Sequence, residues 1–594
     1  MARRRAAIAC GLMALVFTGY SARLIHLQVG KHEEYTALAA AKHSIRESIP
    51  ARRGMIYDRH NEILAANIPV RRVIIDGTHI KNPSLLAEVA APYLGLPQEE
   101  LEKIFTEEVT KKKQFKILLN DLKEENAIAL RSAMEEKSLR GLYFRENTTR
   151  TYPNGPMLSH VLGFLSRKDP NDDHVVGVDG IERSMEPSLC GEDGFRHIER
   201  DRTGREIVIY RGQEKPAQNG TSVQLTIDMG LQAILETEME NAFKELKPET
   251  ATGIIVNPKT GEILALVNRP TFDLNQINSA RMEQMKNRAI MDMVEPGSTF
   301  KIVVAAGALN ERVVTDRTMI YCENGSFAYG GRILRDHHGY GAMNAHDILM
   351  KSSNIGSAKM ALMMGDEKFY EYVRRFGFGE RSGVDLPGEI PGLVHPPARW
   401  DKLTITRMPM GHSIAVTPLQ ITMAMAVIAN GGKLMRPHII RSVKDQDGNT
   451  IREFAPEVVR EVIPEETAKY VSDALVEVVG DRGTAALARV NGYSVAGKTG
   501  TAQKVDPKGG YTPGKYVVSF VGYMPAEDPQ FVCLIMVDDA KISSGLNYGG
   551  LVAAPIFSRV AEKAARYLDL TPAPKAEAIL PVAMRQTDTR EFRQ

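Results

Sequence analysis

"VEPGSTFKIVV", residues 294–304, is the stretch on which the reading of this chain turns. Pro296-Gly297 breaks whatever precedes it, and Ser298 is a residue type that starts helices well. The ordinary reading is therefore a helix start. The other reading pairs Ser298 with Lys301. Positions i and i+3 share one face of a helix, so the Lys301 ammonium reaches the Ser298 hydroxyl, a base beside its nucleophile. S-x-x-K alone selects neither, because average residue usage gives roughly one to three in a chain this long.

Two further motifs follow in order. Ser352-Ser353-Asn354 lies in "DILMKSSNIGSAKM" (347–360), at a break between helical stretches. Lys498-Thr499-Gly500-Thr501 lies in the strand-like "GYSVAGKTGTAQ" (492–503). K-T-G has a chance expectation of roughly 0.1 to 0.2 here. The ordered trio resembles the mark of penicillin-binding proteins and class A β-lactamases, in which S-D-N is the usual middle member. A second K-T-G, Lys259-Thr260-Gly261, follows Pro258 and precedes Ser298. It joins two strand-like runs and reads as a hairpin turn.

The residue types suit the chemistry. A serine hydroxyl needs a base to become a nucleophile. Lys301 can be that base only when neutral, which requires a depression of roughly three pKa units, about 4 kcal/mol. Burial and the like charge of Lys498 both push that way. Ser352 can relay a proton between Lys498, Lys301 and a leaving amine. Asn354 can hold a substrate amide. The Lys498 strand can pair with an extended peptide, Thr499 and Thr501 offer hydroxyls to a terminal carboxylate, and the N–H groups of Ser298 and Thr501 can hold an oxyanion.

The whole chain narrows the field. At 594 residues it exceeds one hydrophobic core, so two or more domains are expected. With 75 basic and 73 acidic residues, nothing argues electrostatically for nucleic acid binding. Cys10, Cys190, Cys322 and Cys533 are far apart and suggest neither a disulfide framework nor a zinc site. Arg3, Arg4 and Arg5 precede an uncharged run, residues 6–22, at the short end for a membrane span. The arginines would hold its start in the cytoplasm. Tyr20 and Ala22 make a poor signal-cleavage site, so residues 1–22 are expected to be an uncleaved anchor.

After the anchor a helix is expected to leave the membrane. Strand-like runs around Ile56, Ile63 and Val73–Ile75 flank a polar turn at Asp58–Asn61. Residues 83–140 are helical in pattern, and 141–210 are mixed and turn-rich. The polar "RGQEKPAQNG" (211–220) marks a boundary. Beyond it come two strands, "TGIIVN" and "EILALVN", then helical patterns from about 280 to 430. Three strands follow, in "GYSVAGKTGTAQ", "YVVSFVGYMP" and "FVCLIMVDD", and then an amphipathic helix. That order suggests an α+β domain with a five-stranded antiparallel sheet flanked by helices. The expected division is an anchor at 1–22, an elongated α+β pedestal at 23–215, the sheet-bearing domain at 216–570, and a disordered tail at 571–594.

The resemblance then becomes specific. "RRGMIYDRHNEILA", "RTYPNG", "GVDGIERSMEPSLCGEDG" and "LTIDMGLQ" resemble the pedestal and junction of class B penicillin-binding proteins. "NRAIMDMVEPGSTFK", "FGFGERSGVDLPGE", "SIAVTPLQ" and "VAGKTGTAQK" resemble their transpeptidase domain. "SGVDLPGE", "MGHSIAVTPLQ" and the length are most similar to the cell-division transpeptidase of penicillin-binding protein 3 type, with the elongation-specific relative as the alternative. The resemblance implies a bacterial inner-membrane enzyme whose catalytic domain lies outside the cytoplasm. It would cross-link peptidoglycan stem peptides and bind β-lactams. A polytopic membrane glycosyltransferase and a division complex would be its partners, with no metal and no cofactor. Two other functions stay open, a hydrolase and a non-catalytic division scaffold. No E-x-x-L-N loop of a class A β-lactamase follows Asn354, and a dead scaffold would not need all three motifs.

The remaining signals have bland readings. His337-His338 in "RDHHGYG" is expected to be a surface loop rather than a metal site. His412 is expected to pack beside a helix start. Arg53, Gly54, Asp58, Arg59 and Glu182 are expected to hold turns of the pedestal together.

Overall fold

The computed structural model describes residues 1–35, 44–111, 115–167, 175–200, 206–209, 214–506, 509–542 and 547–572. The chain opens with a helix, Ala2–Ile25, that continues through a π turn, His26–Gly30. None of the side chains of Ala2–Ile25 is buried, and it is the one helix among the described residues long and apolar enough to cross a membrane. At 1.5 Å per residue it spans roughly 40 Å, enough for a hydrocarbon core. The expected anchor at 1–22 is therefore the first part of a longer helix.

The pedestal is built on one long strand, Ile63–Ile75, flanked by Lys116–Lys123 and Leu142–Thr151, both antiparallel to it. Three helices, Pro83–Leu94, Gln98–Lys111 and Glu124–Glu136, cover this sheet. Leu86, Leu101, Phe105 and Leu130 fill the core between them. The all-helical expectation for 83–140 is corrected here, because Lys116–Lys123 is a strand. Its residues pair with Val70–Ile75 through two register shifts, a long-range partnership invisible in the local pattern. Near the junction, Arg53 and Arg150 converge on the fully buried Glu182, at 2.6 and 2.7 Å. Arg53 also reaches Glu186 at 2.6 Å. Asp58 accepts from the N–H groups of His60 and Glu62, closing the turn between strands Ile56–Tyr57 and Ile63–Ile75. Asp58 does hold a turn, whereas Arg53 and Glu182 join segments remote in the sequence.

A seven-stranded sheet crosses the boundary. Ser222–Leu225 pairs parallel with Ile56–Tyr57 on one side and antiparallel with Ile440–Lys444 on the other. One hydrophobic core likewise runs from Ile56, Leu64 and Ile181 into the C-terminal residues. The pedestal head has its own core, and its base shares one with the rest of the chain.

The C-terminal domain contains the five-stranded antiparallel sheet read from the sequence. Its strand order is Ile263–Arg269, Thr250–Val256, Phe531–Asp538, Tyr511–Met524 and Ala496–Val505. Its inner strands are buried on both faces, so they read as unbroken apolar runs rather than alternations. Phe520 packs on Phe557 of the last helix, Gly549–Tyr567, at a ring separation of 4.7 Å. Tyr523, three residues on and so on the opposite face, donates to Ser472 of the Glu465–Val479 helix at 2.7 Å. Helices therefore cover both faces. Lys259–Gly261 forms the turn between the first two strands, and Lys259 pairs with Asp528 at 2.5 Å.

Local sequence explains the helix starts. Asp228 caps Met229–Leu246 by accepting from the N–H groups of Gly230 and Leu231. Thr417 and Gln420 form a reciprocal capping box with Pro418 at the first position, which is what "VTPLQ" encodes. The stretch from 280 to 430 is not uniformly helical: Ser326–Tyr329 and Arg332–Arg335 form a hairpin. The expected tail lies outside the described residues from 573 onward.

Candidate active site

Ser298 stands in a single 3-10 turn, Gly297–Phe300, that leads into the helix Lys301–Asn310. The Lys301 N–H donates to Ser298 O, which places the lysine one turn below the serine. Ser298 is partly exposed, whereas Lys301 is completely buried. Its ammonium donates to Ser352 O at 2.5 Å, Asn354 Oδ1 at 2.7 Å and Ser352 Oγ at 3.1 Å. Lys498, also completely buried, donates to the same Ser352 Oγ at 2.9 Å. The three motifs, remote in sequence, thus meet around one hydroxyl.

Two of the three Lys301 acceptors are carbonyl oxygens, which cannot donate. A neutral Lys301 keeps its two N–H groups on them. Its lone pair then lies toward the Ser352 hydroxyl. Burial and the Lys498 charge hold the Lys301 ammonium well below the usual lysine range, against an opposing pull from Asp336. Burial also brings Lys498 down to about 7.

Ser352 has φ 58° and ψ 40°, the left-handed region, at the end of the helix Ala345–Lys351. A non-glycine residue there stores on the order of 1 kcal/mol and persists only where its surroundings hold it. The Ser352 and Ser353 N–H groups close back on Leu349 O and Ile348 O, and the residues that follow are braced by Asp336, which sequence reasoning passed over in favour of the two histidines after it. Asp336 accepts from the Ser353 hydroxyl at 2.7 Å and from the N–H groups of Asn354 and Ile355. Ser353 in turn caps the helix Asn354–Met364 through the Gly356 N–H, and Asn354 Nδ2 donates to Arg335 O. His337 stacks edge-on against Tyr548, and His338 against Tyr340.

Ala496–Val505 is the edge strand of the five-stranded sheet, and it carries Lys498, Thr499, Gly500 and Thr501. A β-carbon on Gly500 would stand 2.4 Å from Ser519 Oγ and 2.9 Å from Pro296 O, so only glycine lets the strand close on the serine turn. Thr501 is partly exposed, and its hydroxyl accepts from the Gly549 N–H at 3.2 Å, leaving its own proton to donate. Thr499 is 8% exposed and its hydroxyl lies 3.4 Å from that of Thr484. Of the two hydroxyls, Thr501 is the accessible one.

Residues 251–562 match the family described as the penicillin binding protein transpeptidase domain, and residues 48–225 match the penicillin-binding protein dimerisation domain. The chain belongs to the penicillin-binding transpeptidases. It is 33% identical over 552 residues to Stage V sporulation protein D of Bacillus subtilis, covering 92% of this chain and 83% of that protein. It is 29% identical over 573 residues to the peptidoglycan D,D-transpeptidase FtsI of Escherichia coli, covering 96% and 92%. Among solved structures it is similar to penicillin-binding protein 3 of Mycobacterium tuberculosis, in a crystal structure complexed with aztreonam. There the TM-score is 0.68 and the identity 27%, covering 89% of this chain and 98% of that one. The penicillin-binding protein 2X of Streptococcus thermophilus gives a TM-score of 0.73 at 26% identity, covering 89% and 81%. With dimerisation and transpeptidase domains in one chain, the transpeptidase is a class B penicillin-binding protein acting on peptidoglycan.

Proposed function

We propose that this D,D-transpeptidase works through an acyl-enzyme on Ser298 and serves septal wall synthesis. The convergence of two buried lysines on Ser352, with Lys301 one turn below Ser298, carries the reading. Neutral Lys301 takes the Ser298 proton. Oγ attacks the carbonyl of the penultimate D-Ala of a stem peptide, and the N–H groups of Ser298 and Thr501 hold the oxyanion. The bond to the terminal D-Ala breaks, and its amine takes up the proton relayed through Ser352. Thr501, with Thr499 behind it and Gly500 between, holds the terminal carboxylate. Asn354 and the free strand edge hold the peptide. An amine from a second stem peptide then displaces Ser298 and completes the cross-link.

The septal assignment rests on likeness to FtsI of Escherichia coli and to penicillin-binding protein 3 of Mycobacterium tuberculosis. It brings with it a membrane glycosyltransferase and division proteins as partners, and a domain outside the cytoplasm. Ser298→Ala should abolish covalent labelling by penicillin while leaving thermal melting unchanged. Label found on another serine of the mutant would overturn the assignment. Depletion in the source cell should give filaments that elongate without dividing. Rounded cells would assign the chain to elongation instead.

A further inference from the structure

A second cluster of ionisable groups stands beside Ser298, and the acylation chemistry leaves it unused. Glu295 lies three residues before the nucleophile, and its side chain is only 12% exposed. Its Oε2 lies 3.1 Å from His412 Nδ1 and 3.0 Å from the Tyr511 hydroxyl. Its Oε1 accepts from the Ser413 N–H at 3.0 Å. His412 Nδ1 is also 2.8 Å from the Tyr511 hydroxyl, and the two rings meet edge-on. Three separate segments supply these residues.

The backbone fixes the cluster against the nucleophile. Gly411 has φ 84°, and a β-carbon on it would stand 2.2 Å from Gly297 O, so the turn bearing His412 rests directly on the residue before Ser298. Ser413 takes φ 61°, an uncommon conformation for serine, and its N–H meets Glu295. Tyr511 faces Val505, at the far end of the strand that carries Lys498. The two ionisable clusters therefore lie toward opposite ends of one substrate-binding strand.

The hydrogen bonds set the histidine tautomer. The Tyr511 hydroxyl donates to Glu295, so His412 Nδ1 carries the ring proton and donates to the Tyr511 oxygen. In the neutral ring the lone pair then belongs to Nε2, to which no hydrogen bond is made among the described residues. An imidazole whose Nδ1–H is held by a hydroxyl anchored on a carboxylate presents its far nitrogen as a general base. The Tyr511 hydroxyl completes the carboxylate, and its pKa is pushed up by burial and by Glu295.

Resting on the transpeptidase reading above, we propose that Glu295, His412 and Tyr511 form the acceptor station of the enzyme. The acceptor is a primary amine that arrives as its ammonium. His412 Nε2 takes one proton from it and later passes that proton to water. The freed lone pair forms a C–N bond to the acyl carbon on Ser298. The tetrahedral adduct loses its second nitrogen proton to Lys301, the C–Oγ bond breaks, and Lys301 returns that proton to Ser298 Oγ. Glu295, through the Tyr511 hydroxyl, orients the ring. Tyr511 is a positioning residue.

The full chain in detergent is acylated with an N-acyl-D-alanyl thioester and offered either D-alanine, an ammonium at pH 7, or hydroxylamine, which is neutral there. The quantity read is the ratio of transfer to hydrolysis, which does not depend on the acylation rate. One bound penicillin per chain certifies each folded variant. For His412→Gln the ratio should fall about tenfold or more with D-alanine and by less than about threefold with hydroxylamine. Glu295→Gln should show the same split and serves if the first variant does not fold. A fall of equal size with both amines would make the cluster structural, and no fall with either would make it idle; each result overturns the proposal. Hydrolysis alone by the parent, with both amines, would instead sink the transpeptidase mechanism itself.

Discussion

Lys498 shows at a single residue what a buried lysine costs in stability. Its charge is fully buried and its pKa is brought down to about 7. The unfolded chain therefore binds a proton more readily than the folded one, and stability rises with pH. The penalty is complete below about pH 7 and vanishes above the ordinary lysine value of about 10.4. Lys498→Met keeps the volume and removes the charge. It should stabilise the protein by on the order of 3–5 kcal/mol at pH 6, with acylation lost. Thermal melts from pH 6 to pH 9 check this, because the gap over the parent should narrow steadily. A gap that widens with pH would mean that Lys498 is held charged by the fold.

At the scale of elements, the turn bearing Ser352 and Asn354 depends on a hairpin outside the three motifs. Asp336, directly after the Arg332–Arg335 strand, ties that turn down through three hydrogen bonds. Asp336→Ala should cost about 2–4 kcal/mol, since bonds to a charged group are each worth roughly 1.5–3 kcal/mol and are not additive. It should also slow penicillin acylation by about tenfold, because Ser352 is released from its left-handed conformation. Asp336→Asn keeps an acceptor for the two N–H groups and should recover most of the rate. Stopped-flow acylation of the two variants tests this. Equal rates for Asp336→Ala and the parent would show that the turn holds itself. The same lesson applies to Lys116–Lys123, where a strand replaces an expected helix because its partner lies some fifty residues upstream.

Across the whole molecule, the pedestal and the C-terminal domain are joined by a sheet and by a continuous core rather than by a loose linker. Movement of the pedestal base is thereby coupled to Ile440–Lys444, whereas the pedestal head packs on its own core. The helix Ala2–Ile25 with its following turn exposes a continuous apolar surface, which only a membrane or another apolar partner would cover. The arginines at positions 3, 4 and 5 set the expected orientation. The isolated protein should retain its N-terminus in the membrane fraction, and protease added outside spheroplasts should remove the C-terminal domain. N-terminal sequencing that begins near Arg23 would show a cleaved signal instead. A C-terminal domain that stays protected would reverse the orientation.

The class of fold and the motifs that mark a candidate site can both be read from the sequence alone. Strand runs buried on both faces, capping residues and rare short motifs are local signals, and local signals survive without coordinates. Ser298, Lys301, Ser352, Asn354 and Lys498 were legible as candidates for that reason, and the five-stranded sheet was legible too. Which groups share a hydroxyl, how deeply the lysines are buried, and that Asp336 and Glu295 stand near these residues at all depend on tertiary contacts. Neither carboxylate belongs to a recognisable motif. His412 stands beside a helix start, where packing is the ordinary reading. Its pairing with Glu295 and Tyr511 depends on three chain segments meeting in space, and long-range geometry of that kind leaves no periodic trace in the chain.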